Sequence, residues 1–97
     1  MAFAQQSGSS TEARITKGKF EAETSSKELV KANGDRLELI VCNEGAKDAW
    51  LSLGSTAVAK EGIYLKASGG TWTNTSYSGA VFVITASEKS NITYAEI

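Results

Sequence analysis

The side chains able to do chemistry are few in this sequence, and their types exclude more than they offer. Its 97 residues include no histidine, no proline and a single cysteine, Cys42. Without imidazole there is no ordinary general base near neutral pH, no Ser-His or Cys-His nucleophile pair and no nitrogen ligand for zinc. The chain is therefore read as a non-enzyme, with no catalytic, cofactor-binding or metal-binding residues. Glu44 and Asp48 come nearest to a carboxylate pair of the kind that cleaves glycosides, but they flank a loop, whereas such pairs work inside a cleft. "KASGGT", at 66–71, has a lysine and two glycines. It lacks the Lys after the second Gly and the following helix that a phosphate-binding loop requires, so it reads as a turn. Cys42 closes the apolar run "LELIVC" and reads as a small buried hydrophobe; alone, it makes no internal disulfide.

Aromatic side chains offer adhesion rather than reaction. Trp50, Tyr64, Trp72 and Tyr77 are the candidates for an oligomer interface or a surface contact. Large flat rings bury much area for little lost rotamer freedom, which enriches them where proteins meet. Core packing is the alternative role for each. Trp72 stands out because its surroundings, "GGTWTNTSYSG", are polar.

The elements that must hold these side chains follow from the spacing of apolar residues. "RLELIVC" places Leu37, Leu39 and Val41 on one face; "DAWLSLG" sets Ala49, Leu51 and Leu53 against Trp50 and Ser52; "GIYLKAS" sets Ile63 and Leu65 against Tyr64 and Lys66. This period of two is strand patterning. "GAVFVITA" is apolar on both faces and is expected to be a central, buried strand, while "RITKGKFEAE" alternates imperfectly and "NITYAEI" ends the chain. Asn33-Gly34-Asp35, Asn43-Glu44-Gly45, Gly54-Ser55, Glu61-Gly62, Ser68-Gly69-Gly70 and Ser78-Gly79 supply turns between the runs. The expected fold is all-β: one small antiparallel β-sandwich, jelly-roll or Ig-like, of seven to nine strands. "TAVAKE" is the one place where a helix is conceivable, and six residues are too few to hold one unaided.

Charge divides the chain further. Eleven acidic and ten basic residues leave a net charge of −1, which provides no general attraction to nucleic acid or to an anionic membrane. Residues 1–11 are uncharged, and the segment offers only Met1 and Phe3 as large apolar groups. Residues 1–12 are read as a flexible arm ahead of a domain at 13–97, with Met1, Phe3, Gln5 and Gln6 as its candidate contact residues. The arm lacks the basic start and apolar stretch of a signal peptide, and residues 67–87, the longest uncharged tract, are too polar for a membrane helix. Two sequons, at Asn74 and Asn91, matter only in a secretory setting that nothing else in the sequence suggests.

Residues 32–97 carry a recognisable pattern. An Arg (Arg36) begins a strand that ends in Asn (Asn43). A strand and Gly turn (Gly54) follow, then "Gly-Ile-x-Leu" (Gly62, Ile63, Leu65) and "Gly-Gly" (Gly69, Gly70). An aromatic-Ser-Gly turn (Tyr77, Ser78, Gly79) leads through Val81 to the last strands and Glu96. This resembles small virion proteins of tailed bacteriophages, particularly capsid decoration (cement) proteins and head-fibre domains. "ASGG" stands where that pattern has Pro-Gly. The resemblance implies a protein made in the host cytoplasm that binds the assembled head, with the major capsid protein as partner and self-association as a homotrimer. Two alternatives accompany it: a tail or neck component, and a head-fibre module that binds host carbohydrate with Trp72 and Tyr77 stacking on a sugar ring.

Overall fold

The computed structural model describes residues 15–97, and the expected arm at 1–12, with Met1, Phe3, Gln5 and Gln6, lies outside them. Within the described residues the regular elements are eight strands: β1 (Thr16–Ala22), β2 (Lys27–Val30), β3 (Leu39–Asn43), β4 (Ala49–Leu53), β5 (Ile63–Leu65), β6 (Gly70–Asn74), β7 (Val81–Thr85) and β8 (Ser90–Glu96). They form two four-stranded sheets, in the orders β1-β8-β3-β6 and β2-β7-β4-β5, and all pairings are antiparallel. Only β4 and β5 are joined within one sheet; every other connection crosses to the facing sheet. That winding is the jelly roll, so the topology decides between the two sandwiches the sequence left open.

Alternation builds the core. Leu39 and Val41 of β3, Ala49 and Leu51 of β4, Leu65 of β5, Val81 and Val83 of β7 and Ile92 of β8 point between the sheets and form one buried cluster. Each large aliphatic side chain in it contributes about 1.5 to 3 kcal/mol of transfer free energy. β7 runs between β2 and β4, the central position its doubly apolar sequence predicts. β2 is short and polar, yet Leu29 and Val30 are both buried. The register shift between Glu28 and Val30 explains it, because a bulge lets two successive side chains face the same way.

Two expectations fail locally, at Leu37 and Cys42, and the one conceivable helix does not form. Leu37 is 61 % exposed rather than in line with Leu39 and Val41. Its amide and that of Glu38 both donate to the Ile97 carbonyl, at 2.6 and 3.1 Å, so strand alternation begins only at Leu39. Cys42 is half-buried on the outer face of its sheet, since Val41 and Asn43 take the inward places on either side. The "TAVAKE" segment, between β4 and β5, is irregular. Lys60 and Gly62 have φ of 69° and 92°, which no right-handed helix accommodates. This connection instead reaches back toward the opposite edge of the sheet. The Ala57 amide donates to Ser26 Oγ at 2.8 Å, just before β2, and Ala57 is buried. β7 and β4 lie between β2 and β5, so the connection spans the width of the sheet; Ile84 of β7 is buried outside the main core.

Two buried polar side chains lock the strand ends. Asn43 is fully buried; its Nδ2 donates to the carbonyls of Lys47 (2.7 Å) and Leu65 (3.0 Å), and its Oδ1 accepts from Gly45 N (3.1 Å) and Ser90 Oγ (2.8 Å). Every hydrogen-bonding position of the amide is used. At the other end Arg36 Nε donates to Glu96 Oε2 at 2.8 Å, Nη1 to the carbonyls of Gly79 (2.9 Å) and Tyr77 (3.3 Å), and Nη2 to that of Lys31 (2.7 Å). A planar five-donor guanidinium suits this task, because one side chain joins three loop carbonyls to a carboxylate in β8.

Candidate surface sites on the two sheets

The four aromatic candidates separate into two pairs. Trp50 and Tyr64 are direct partners across β4 and β5, on the outer face of the β2-β7-β4-β5 sheet. Their ring centroids are 5.7 Å apart with a tilt of 36°, a spacing at which aromatic rings attract. Tyr64 is 53 % exposed and Trp50 half-buried. On the far side of Trp50 stands Ile84, and in the next row Ser52 pairs with Phe82. The face therefore carries a half-open aromatic ridge ending at the short edge strand β5.

Asp48, just before β4, adds charge to that ridge. Its Oδ1 accepts the Ala67 amide at 2.8 Å. The Tyr64 phenol is held above its ordinary pKa of 10.0, first by desolvation and then by the Asp48 carboxylate, which favours the protonated hydroxyl both as an acceptor and as a negative charge. Asp48 was not among the residues singled out as contacts in the sequence. The signal was its position two residues before Trp50, which in a strand places both side chains on the same face.

Trp72 and Tyr77 turn the other way. Trp72 sits opposite Val41 on β6, and both aromatics are half-buried against the core. The Tyr77 hydroxyl donates to the Ala80 carbonyl at 2.9 Å. Its ring covers two glycines: a Cβ at Gly79 would come within 2.6 Å of the ring carbon that bears the hydroxyl, and one at Gly54 within 2.9 Å of the hydroxyl oxygen. The polar sequence around Trp72 thus reflects an edge strand and its turns, with the indole directed inward. Both rings pack against the core on one side and are only partly exposed.

The outer face of the β1-β8-β3-β6 sheet carries an open depression of about 540 Å³. Cross-strand register fixes its floor and rim. One row reads Lys17, Ala95, Ile40, Thr73 and the next Lys19, Thr93, Cys42, Thr71. Ile40, Cys42, Thr93 and Ala95 line its centre and Lys17 and Lys19 its β1 side, while Thr73 and Thr71 end the two rows on β6 outside its lining. The "KGK" of β1 was the sequence trace of this rim: two cations at strand spacing on one face.

The reactive combinations weighed in the sequence do not assemble. Glu44 accepts from Thr93 Oγ1 at 3.0 Å, on the outer face of the first sheet, whereas Asp48 stands beside Tyr64 on the outer face of the second. "KASGGT" is a turn into β6, with φ of 63° at Ser68 and 125° at Gly69, closed by a 2.9 Å bond from Gly70 N to the Lys66 carbonyl. Among the described residues no group of three or more Cys, Asp or Glu side chains is placed to hold a metal ion. No helix among them is long and apolar enough to cross a membrane. Comparison of the chain with protein-family models, with curated proteins and with solved structures gave no match.

Proposed function

We propose that this chain is a virion structural protein of a tailed bacteriophage, a capsid decoration protein that binds the assembled head and stabilises it without covalent chemistry. One observation carries the reading. Residues that make up the phage-type sequence pattern, scattered between Arg36 and Glu96, converge on the contacts that close the two ends of the jelly roll. Arg36, Tyr77, Gly79 and Glu96 meet in one set of hydrogen bonds, and Asn43, Leu65 and Gly69 in the other, where the Gly69 amide donates to the Asn43 carbonyl at 2.8 Å. A pattern whose members depend on one another in space is better support than the same residues spread independently. The jelly roll itself adds only compatibility, since that fold serves capsid proteins and lectins alike.

Adhesion in this reading is the work of the outer faces, and the major capsid protein is the partner. The depression floored by Ile40, Cys42 and Ala95 and rimmed by Lys17 and Lys19 presents an apolar centre with a charged border, the arrangement of a protein contact. Purified protein mixed with undecorated heads is expected to co-sediment with them, and a Lys17→Glu, Lys19→Glu variant to do so less. Failure of the parent protein to sediment with heads contradicts the proposal.

A second reading has its own observation. Trp50 and Tyr64, with the Asp48 carboxylate beside them, offer ring faces and a hydroxyl acceptor together, which is the chemistry that holds a sugar. A glycan array separates the two: saccharide binding that is lost in Tyr64→Ala favours a host-surface module.

A further inference from the structure

The two sheets have four edge strands, and three of them are protected against accepting another strand. β1 carries exposed Lys17, Lys19 and Glu21. β2 has Lys27 and Glu28 in only four residues and contains a bulge. β5 is three residues long and is followed by exposed Lys66. Charge, brevity and bulges are the usual means of blocking edge-to-edge association. β6 has none of these. It is Gly-Thr-Trp-Thr-Asn, five residues without charge, in unbroken register with β3 from Asn43↔Gly70 to Leu39↔Asn74. β3 is its hydrogen-bonded neighbour in the sheet, and among the described residues no strand pairs with its other side. Trp72, at the middle of that edge, packs against the core yet remains half-buried.

We propose that the free edge of β6 pairs antiparallel with β6 of a second copy of this chain, joining two four-stranded sheets across a two-fold axis. The strand is complementary to itself. With the axis at Trp72, Thr71 faces Thr73 of the second copy on the outer surface, a favourable cross-strand pairing, and no like charges meet. On the inner side the two Trp72 rings approach each other and cover the parts the single domain leaves open. Main-chain hydrogen bonds supply the affinity and the side chains the register, as in other cases of strand addition. An isologous contact of this kind closes at two copies. It differs from the trimer implied by the phage resemblance, and it stands independently of the decoration reading. A single five-residue strand is a small interface, so the pair forms at high protein concentration.

Sedimentation of the full chain, followed up to about millimolar concentration, tests this, because interfaces of this size correspond to weak association. The expected result is a monomer–dimer equilibrium, with the amides of Thr71 and Thr73, which alternate with the Trp72 amide paired to Val41 and so face the free edge, gaining protection from hydrogen exchange as the dimer fills. Thr71→Lys with Thr73→Lys places cations opposite each other across the axis while leaving the inward side chains alone. It is expected to weaken the dimer by about tenfold or more, with the parent circular dichroism spectrum retained. A monomer throughout, a trimer, or a dimer that ignores both lysines and leaves β6 unprotected overturns the proposal.

Discussion

Arg36 and Glu96 stand 60 residues apart in sequence, and their side chains meet at 2.8 Å with the arginine side chain 1 % exposed and the glutamate 16 %. An ion pair this deep gains little over an apolar pair of the same shape, because both charges are stripped of water. What the arginine adds is connection: it holds the Lys31, Tyr77 and Gly79 carbonyls as well. Removing it leaves those acceptors and a carboxylate without their partner. Arg36→Ala is therefore expected to lower unfolding free energy by about 3 kcal/mol or more, measured by chemical denaturation. Arg36→Lys, with no planar fork, recovers only a minor part. A variant as stable as the parent contradicts this role.

Thr85 presents the opposite case. It is completely buried at the end of β7, and its Oγ1 has no hydrogen-bond partner among the described residues. An unsatisfied buried hydroxyl costs about 1 to 3 kcal/mol. Thr85→Val keeps the branched shape and removes the hydroxyl, so thermal denaturation is expected to show a gain of about 1 kcal/mol. A loss of stability contradicts the assignment.

Gly45 tests the Asn43 lock. A Cβ there would lie 2.5 Å from the Asn91 amide nitrogen and 2.9 Å from Ser90 Cα, and backbone is slow to yield. Gly45→Ala is expected to destabilise the domain by about 2 kcal/mol through overpacking and to expose the amides that bond around Asn43. Unchanged melting and exchange would count against the lock.

The sequence made the strands legible wherever alternation met a two-sided environment. Ala49 and Leu51 point inward with Trp50 outward, and Leu65 inward with Tyr64 outward, as the period of two requires. It misjudged Leu37 and Cys42 because periodicity says which residues share a face but not where a strand begins or which face is the core. The aromatics show the same limit. Trp72 lies among polar residues along the chain yet packs against Val41 and the core in space, whereas the exposed Tyr64 belongs to an apolar run. Arg36 and Asn43 were visible as members of a pattern. Their role as hydrogen-bond centres was not, since their partners lie in other loops and strands.

Tyr64 gives the surface a pH signature. Its folded-state pKa is raised above 10.0, so the folded domain holds the phenolic proton more tightly than the unfolded chain does. The resulting contribution to stability is complete below the unfolded value and disappears as pH rises through the folded one. Spectroscopic titration of tyrosinate, assigned with Tyr64→Phe, is expected to show this phenol ionising late, and Asp48→Asn to bring its titration down toward 10.0. An unaltered titration in Asp48→Asn contradicts the part given to the carboxylate.

The central claim is that the chain stabilises an assembled phage head. Anything that binds only the assembled state stabilises it, by about 2.7 kcal/mol per site at a hundred times Kd, and a shell offers many sites. The direct measurement is the thermal rupture of phage heads prepared without this protein and then supplied with it. The account predicts that bare heads assemble, that they rupture at a lower temperature than decorated ones, and that adding the purified chain restores the higher value. Bare and supplied heads that rupture at the same temperature would contradict it.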